Sequence, residues 1–208
     1  MRKKTARECF NALDRSLFVP AGLIPCAFVD TALPIGYGQT ISQPSLVLHM
    51  TELLSVTPDS RVLEIGTGSG FQTALLACLA RQVYTVEMVP QLHLEARERL
   101  TSLGYTNILF REGDGSEGWP EESPFDRIIV TAAASHIPDE LLVQLAWGGR
   151  MVIPVGPKGL QELTLVQKDE CGAISRQTKG AVSFVEMKGR YGWSQHRNSD
   201  EEGELGCG

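Results

Sequence analysis

A short apolar run that ends in a carboxylate and three alternating glycines, Val62-Leu63-Glu64-Ile65-Gly66-Thr67-Gly68-Ser69-Gly70, carries the first chemical signal in this chain. Glycine opens backbone conformations closed to other residues and lets a ligand approach the main chain. A G-x-G-x-G turn at a strand end therefore points to a nucleotide-like ligand. A nicotinamide dinucleotide site would carry G-x-G-x-x-G, its third glycine packing the helix on the strand. Phe71 holds that position here, and the third glycine falls one residue early, at Gly70. Glu64, two residues before the first glycine, has no use in an NAD site. S-adenosylmethionine suits both departures: its aminoacyl end is cationic, it carries a sulfonium, and it has no pyrophosphate to place on a helix N-terminus. The rival is a tight strand-to-helix turn without a ligand, but three glycines are a large entropic burden for an idle turn.

Further acids and hydroxyls follow the same logic. Glu87 closes the next strand about 20 residues on, where an acid can accept hydrogen bonds from both hydroxyls of an adenosine ribose. Asp114, between Gly113 and Gly115, can reach an adenine amino group while the backbone passes close to the ring, although Asp and Gly also make plain turns. Gly36-Tyr37-Gly38-Gln39-Thr40-Ile41-Ser42-Gln43-Pro44 precedes a helical pattern. Ser42 or Gln43 reads as its cap with Pro44 in the first turn, or Thr40 and Ser42 lie over the cofactor as substrate-binding hydroxyls. His49, His93, His136 and His196 show no ligand spacing and read as surface or core residues rather than metal ligands; no metal site is expected. His136 is the exception in position, since it follows Thr131-Ala132-Ala133-Ala134 on the cofactor side and could line a substrate cleft.

Strands and helices must alternate to place these groups. Phe71 to Ala80 reads as a helix, Gln82 to Glu87 as a strand, and Pro90 opens a helix with Leu92, Ala96, Leu100 and Leu103 on one face and Gly104 at its end. Asn107 to Glu112 and Phe125 to Thr131 read as strands, Pro138 to Leu145 as a short helix, and Arg150 to Pro154 as another strand. Leu160 to Lys168 and Ala181 to Lys188 read as two strands without an intervening helix. The expectation is an α/β fold with a doubly wound, mostly parallel seven-stranded sheet and an antiparallel edge pair, ligands sitting beyond the carboxyl ends of the strands. One domain over residues 1–195 is expected: a substrate-side segment (1–44), a cofactor-binding core (45–156) and C-terminal strands (157–195). The polar, acidic residues 196–208 are expected to be disordered.

Composition bounds the partners. With 208 residues, 42% hydrophobic content and a net charge of −6, the chain is long enough for one full core and lacks the basic footprint of a nucleic-acid binder. No stretch approaches the ~20 apolar residues of a membrane span, and the basic Met1-Arg2-Lys3-Lys4 is not followed by a leader-like apolar run. Five scattered cysteines without a C-x-x-C pair indicate neither a disulfide framework nor zinc, so free thiols in a reducing cytoplasm are expected.

Beyond these readings, the chain resembles the protein-L-isoaspartate (D-aspartate) O-methyltransferases over roughly Asn11 to Trp193. The resemblance rests on ALPIGYGQTISQP (Ala32 to Pro44), VLEIGTGSGFQTALLA (Val62 to Ala77), GDG (Gly113 to Gly115), FDRIIVTAAASHIP (Phe125 to Pro138) and GGRMVIPVG (Gly148 to Gly156). The glycine motif is common to many S-adenosylmethionine enzymes, whereas GQTISQP is specific to this family. The resemblance implies a Rossmann-like class I methyltransferase that methylates the free carboxylate of L-isoaspartyl and D-aspartyl residues in damaged proteins, the ester then closing to a succinimide. S-adenosylmethionine would be the cofactor and S-adenosylhomocysteine the product. By motif match, Ser42 is the active-site residue. Gln39, Thr40, Ile41, Glu64, Gly66, Gly68, Gly70, Glu87, Met88, Asp114 and Gly115 hold the cofactor, and Thr40, Ser42, Ala133 and His136 face the substrate. Partners would be damaged proteins and peptides, not nucleic acid or membrane, and a cytoplasmic monomer is expected. Glu186 stands where family members often carry proline. The chain begins close to the family's first well-matched segment, so the helix that usually precedes it is expected to be missing. The rivals are another O-methyltransferase acting on a different carboxylate, a nucleic-acid or small-molecule methyltransferase, a non-catalytic S-adenosylmethionine-binding domain and an NAD-dependent oxidoreductase. Against a base-amino enzyme, Thr131 to Ala134 replaces the Asp/Asn-Pro-Pro-aromatic string such an enzyme would carry.

Overall fold

The computed structural model describes residues 4–193. Seven strands form the main sheet: β3 (Arg61–Ile65), β4 (Gln82–Glu87), β5 (Ile108–Glu112), β6 (Phe125–Val130), β7 (Leu145–Val155), β8 (Gln161–Lys168) and β9 (Ile174–Val182), in the spatial order β5-β4-β3-β6-β7-β8-β9. β5 to β7 are mutually parallel, and β8 runs antiparallel to both β7 and β9, so the mixed sheet with an antiparallel edge pair is present. Central β3 is covered on both faces, as parallel sheets require. Val62 faces the cluster built by Phe71, Leu75 and Leu76 of α3 (Phe71–Leu79) and Met50 and Leu54 of α2 (Pro44–Leu54). Leu63 and Ile65 face a second cluster with Val86, Phe125 and Ile128. In α4 (Pro90–Ser102) Leu92, Ala96 and Leu100 are buried, but Leu103 is the C-cap and half exposed, so the expected apolar face is one residue shorter; Gly104 ends the helix at φ +83°.

Three expectations need correction. The edge strand β9 lies at Ile174–Val182, not at 181–188. Asp169 makes the turn, its Oδ1 accepting the N–H groups of Cys171 and Ala173, and β9 is exposed along most of its length. An edge strand open on both faces has no reason to alternate polar and apolar residues. The apolar residues around Phe184 to Met187 instead form a strap across the strand ends, tied by a bridge between Ala133 and Glu186 and by the Phe184 N–H on Gln161 Oε1. Secondly, β7 starts at Leu145, before the expected Arg150. Leu145 pairs with Phe125 and Arg150 with Arg127, leaving Ala146 to Gly149 looped out of register around two glycines that read as breakers. Thirdly, the cysteines are not all free thiols. Cys9 of α1 (Ala6–Asn11) and Cys78 of α3 form a disulfide across a sequence separation of 69, which no local spacing could announce. The expected tail at 196–208 lies outside the described residues.

A small antiparallel hairpin, β1 (Leu33–Gly36) and β2 (Gln39–Ile41), stands apart from the main sheet. Tyr37 and Gly38 take φ +54° and +72° at its tip, the mirror-image turn that suits a hairpin's twist. The hairpin delivers Thr40 to Ser42 directly into the start of α2. Among the described residues no helix is long and apolar enough to cross a membrane.

Candidate active site

A cleft opens at the carboxyl ends of β3, β4 and β6, where the strand order reverses. This is the general ligand position in open α/β sheets. Its floor is the glycine turn. Gly66, at φ +96°, donates its N–H to the Val86 carbonyl at 2.8 Å, and a side chain there would run into the Thr131 hydroxyl. Thr131 Oγ1 in turn donates to the Ile65 and Gly66 carbonyls (2.9 and 2.7 Å), binding the end of β6 to the turn.

Glu87 is held from both sides. Its Oε2 accepts the Gly68 N–H at 2.8 Å and its Oε1 the Val89 N–H at 2.9 Å. Each oxygen keeps lone pairs for further donors. Such a fixed, half-saturated carboxylate at the edge of an apolar slot fits a vicinal ribose diol, and the slot itself, with Val47, Met50, Phe71 and Val89, fits the methionine chain and purine of S-adenosylmethionine.

Glu64 is placed differently from the direct contact that charge alone suggested. It is fully buried beneath the turn and does not line the cleft. Its Oε2 accepts the hydroxyls of Thr73 and Thr85, each at 2.6 Å, while Thr67 Oγ1 lies 2.6 Å from Thr85 Oγ1. Oε1 has no partner. Burial pushes its pKa up from 4.5 to about 8; the two threonine hydrogen bonds oppose the rise and the nearby Glu87 charge adds to it. Burial thus favours the protonated acid over the carboxylate at Glu64.

Gly70 also lies off the cleft. It is the N-cap of α3 at φ +86°, and an added Cβ would meet Leu100 of α4 at 2.9 Å, so its missing side chain lets the two helices close together. Asp114 turns away as well: Oδ1 accepts the Ser116 N–H and hydroxyl (2.8 and 2.7 Å), and Oδ2 accepts the Arg190 N–H at 2.6 Å. Its neighbour Gly115 does line the cleft.

The substrate-side wall comes from the hairpin. Gln39, Thr40, Ile41 and Ser42 line the cleft together with Gly66, Gly68, Glu87 and Met88. The cap reading of Ser42 fails on geometry. Gln43 is the N-cap of α2 and makes no side-chain cap bond; Asp30 caps the helix instead, its Oδ1 accepting the N–H of Ser45, fifteen residues on, at 2.8 Å. Among the described residues nothing hydrogen-bonds the Ser42 hydroxyl.

Ala133 is fully buried and acts through its backbone. Its N–H donates to the Val185 carbonyl, and its carbonyl accepts the Met187 N–H and the Trp193 indole (2.8, 2.8 and 3.0 Å). It thereby hangs the strap Val185 to Lys188 along the cleft. His136 is exposed, its Nδ1 3.0 Å from Ser135 Oγ, and it does not line the cleft. Sequence reasoning missed the strap, Val47 and Met50, and Thr131. Val47 and Met50 carried only a core-helix signal, and the strap was masked by the strand expected there. Among the described residues no cluster of three or more His, Cys, Asp or Glu side chains could hold a metal.

Sheet order, glycine floor and strand-end carboxylate together define a Rossmann-like methyltransferase. Comparison with known proteins narrows this. The family model described as protein-L-isoaspartate(D-aspartate) O-methyltransferase matches residues 1–192. A protein-L-isoaspartate O-methyltransferase of Myxococcus xanthus is 56% identical over 186 residues, covering 88% of each chain. One from Dictyoglomus turgidum is 52% identical over 193 residues, covering 93% of this chain and 87% of that one. Among solved structures, a protein-L-isoaspartate O-methyltransferase superposes with a TM-score of 0.82 at 29% identity over 90% of this chain and 62% of that one, so this protein spans less than two thirds of that neighbour. A Plasmodium falciparum structure, described as a putative protein-L-isoaspartate O-methyltransferase in complex with S-adenosyl-L-homocysteine, gives 0.77 at 25% identity over 90% of this chain and 92% of that one. The chain belongs to the protein-L-isoaspartate (D-aspartate) O-methyltransferase family.

Proposed function

We infer that this protein methylates the free carboxylate of L-isoaspartyl and D-aspartyl residues in damaged proteins, giving an ester that converts to the succinimide, with Ser42 as its acceptor-side residue. The observation that carries this reading is an unclaimed Ser42 hydroxyl in the same cleft as the glycine floor and Glu87. Bound S-adenosylmethionine supplies an electrophilic methyl group and leaves as S-adenosylhomocysteine.

The acceptor needs no general base. A peptide α-carboxyl titrates near ~3.5, so at pH 7 about 99.9% is already the nucleophilic carboxylate. What the protein must add is alignment, which in favourable cases is worth about 7–11 kcal/mol. Ser42 Oγ donates a hydrogen bond to one acceptor oxygen and turns the other toward the methyl group, while Thr40 borders the same space. Glu87 accepts the ribose hydroxyls, and Gln39, Ile41, Gly66, Gly68, Met88 and Gly115 enclose the rest of the cofactor. Glu64 and Gly70 act from below by shaping the turn, Ala133 by holding the strap, and Asp114 by holding Arg190 just beyond it. The enzyme is taken as a cytoplasmic monomer.

The test is transfer of labelled methyl to an isoaspartyl peptide, with its aspartyl twin as control. Base-labile label on the first and none on the second is expected. Label on neither, with S-adenosylhomocysteine still bound, would reduce the protein to a cofactor-binding domain.

A further inference from the structure

Arg15 is a charge that the proposed chemistry does not use, yet it is 3% exposed. Its guanidinium meets no carboxylate within salt-bridge distance among the described residues. Nη1 donates to the Ala27 and Val29 carbonyls (2.6 and 3.4 Å), and Nη2 to the Thr31 and Ser42 carbonyls (both 3.0 Å). Burying an ion is expensive, and an apolar residue of similar size would fill the space more cheaply. What an apolar residue could not do is tie four carbonyls from two separate segments into one plane of donors.

Three of those carbonyls belong to the loop at 27–31, and the fourth to Ser42 itself. The same loop returns a second link. Asp30 accepts the Ser45 N–H at 2.8 Å and the Gln43 side-chain amide at 2.9 Å, so it grips the residues just after Ser42. Those two hydrogen bonds hold the Asp30 carboxyl below its usual pKa. Ser42 thus sits between two clamps, its carbonyl on Arg15 and the following turn on Asp30. A serine that capped α2 itself would have its hydroxyl consumed; with Asp30 as the cap, the hydroxyl is free.

We propose that Arg15 and Asp30 are positioning residues for the methyl transfer, fixing the backbone at Ser42 so that its hydroxyl points into the cleft rather than onto the helix end. This rests on the reading of Ser42 given above. The pair touches neither cofactor nor acceptor and acts only through Ser42, so it governs turnover without governing cofactor binding.

Steady-state kinetics with an isoaspartyl peptide and calorimetry with S-adenosylhomocysteine test this on Asp30→Ala, Arg15→Lys and Arg15→Gln. A displacement of about 1 Å in a positioned group can cost about 100-fold in rate. We expect kcat to fall about 10-fold in D30A and about 100-fold in R15Q, with R15K between R15Q and wild type and S-adenosylhomocysteine affinity within about twofold throughout. Asp30 is exposed, so D30A carries the test even if the Arg15 variants fail to fold. Unchanged kcat in D30A, or a loss of kcat matched by a loss of S-adenosylhomocysteine affinity, would overturn the positioning role while leaving the activity standing. Absence of turnover in the wild type would instead overturn the proposed function and this inference with it.

Discussion

Replacing Glu64 by glutamine should stabilise the protein at alkaline pH, an unusual direction for a change in the core. Glu64 is fully buried, its Oε2 accepts two threonine hydroxyls, and its pKa is raised from 4.5 to about 8. A folded-state pKa above the unfolded one means that the native protein binds the proton more tightly. The stability this brings is complete below about pH 4.5 and is lost as pH rises through about 8. That gap, at about 1.4 kcal/mol per pH unit, corresponds to a loss of up to about 5 kcal/mol. Glutamine keeps an oxygen for Thr73 and Thr85 and never titrates, so it stands in for the protonated acid. Urea unfolding of both proteins at pH 5, 6.5, 8 and 9 is the assay. The two should be nearly equal at pH 5, and E64Q should lead by several kcal/mol at pH 8 and 9. Parallel profiles, or an E64Q protein weaker than wild type at every pH, would show that Glu64 is ionised in the fold and that the account of its burial is wrong.

Three further outcomes follow from the geometry. Ser42→Ala should abolish methylation of an isoaspartyl peptide while S-adenosylhomocysteine still binds, as calorimetry would show; unchanged turnover would remove Ser42 from the chemistry. Glu87→Gln should weaken S-adenosylhomocysteine binding by about 10- to 100-fold, because hydrogen bonds to a charged acceptor are worth about 1.5–3 kcal/mol, and titration by calorimetry reads this directly. Cys9→Ser should lower unfolding free energy in non-reducing urea titrations by up to about 4 kcal/mol, the chain-entropy value for a loop of this length, and added thiol should then change the variant little.

The central strands were legible because burial on both faces leaves near-continuous apolar runs: β3, β4 and β6 fall within a residue of the expected bounds. The glycine turn was legible because only glycine serves at its positive φ angles. The edge of the sheet was not, since β9 is exposed and its residues Ile174 to Val182 answer to no periodicity. Of the expected site residues, those acting by type at a strand end or in the hairpin line the cleft: Glu87, Gly66, Gly68, Thr40 and Ser42. Glu64 was chosen for its charge, and burial disfavours that charge. Its two threonine donors lie 9 and 21 residues away, on α3 and β4, so no local pattern could reveal them. Asp114 was chosen for reach, but the backbone just beyond the strap takes up one of its oxygens through Arg190, 76 residues on.

The two walls of the cleft therefore answer to different physics. The cofactor wall grows from β3, β4 and β6, where parallel pairing leaves little freedom and a general motif suffices. The substrate wall is a three-residue strand, a helix start and a strap, none of which has a packed periodicity of its own. Its order comes from single long-range ties: Arg15 to the Ser42 carbonyl, Asp30 to the start of α2, and Ala133 to Val185 and Met187. A reaction that needs no base depends on alignment, and these ties are what supply it. Substitutions that alter substrate use should accordingly concentrate at the ties and in the segments they hold, while substitutions in the glycine floor should act on cofactor affinity first.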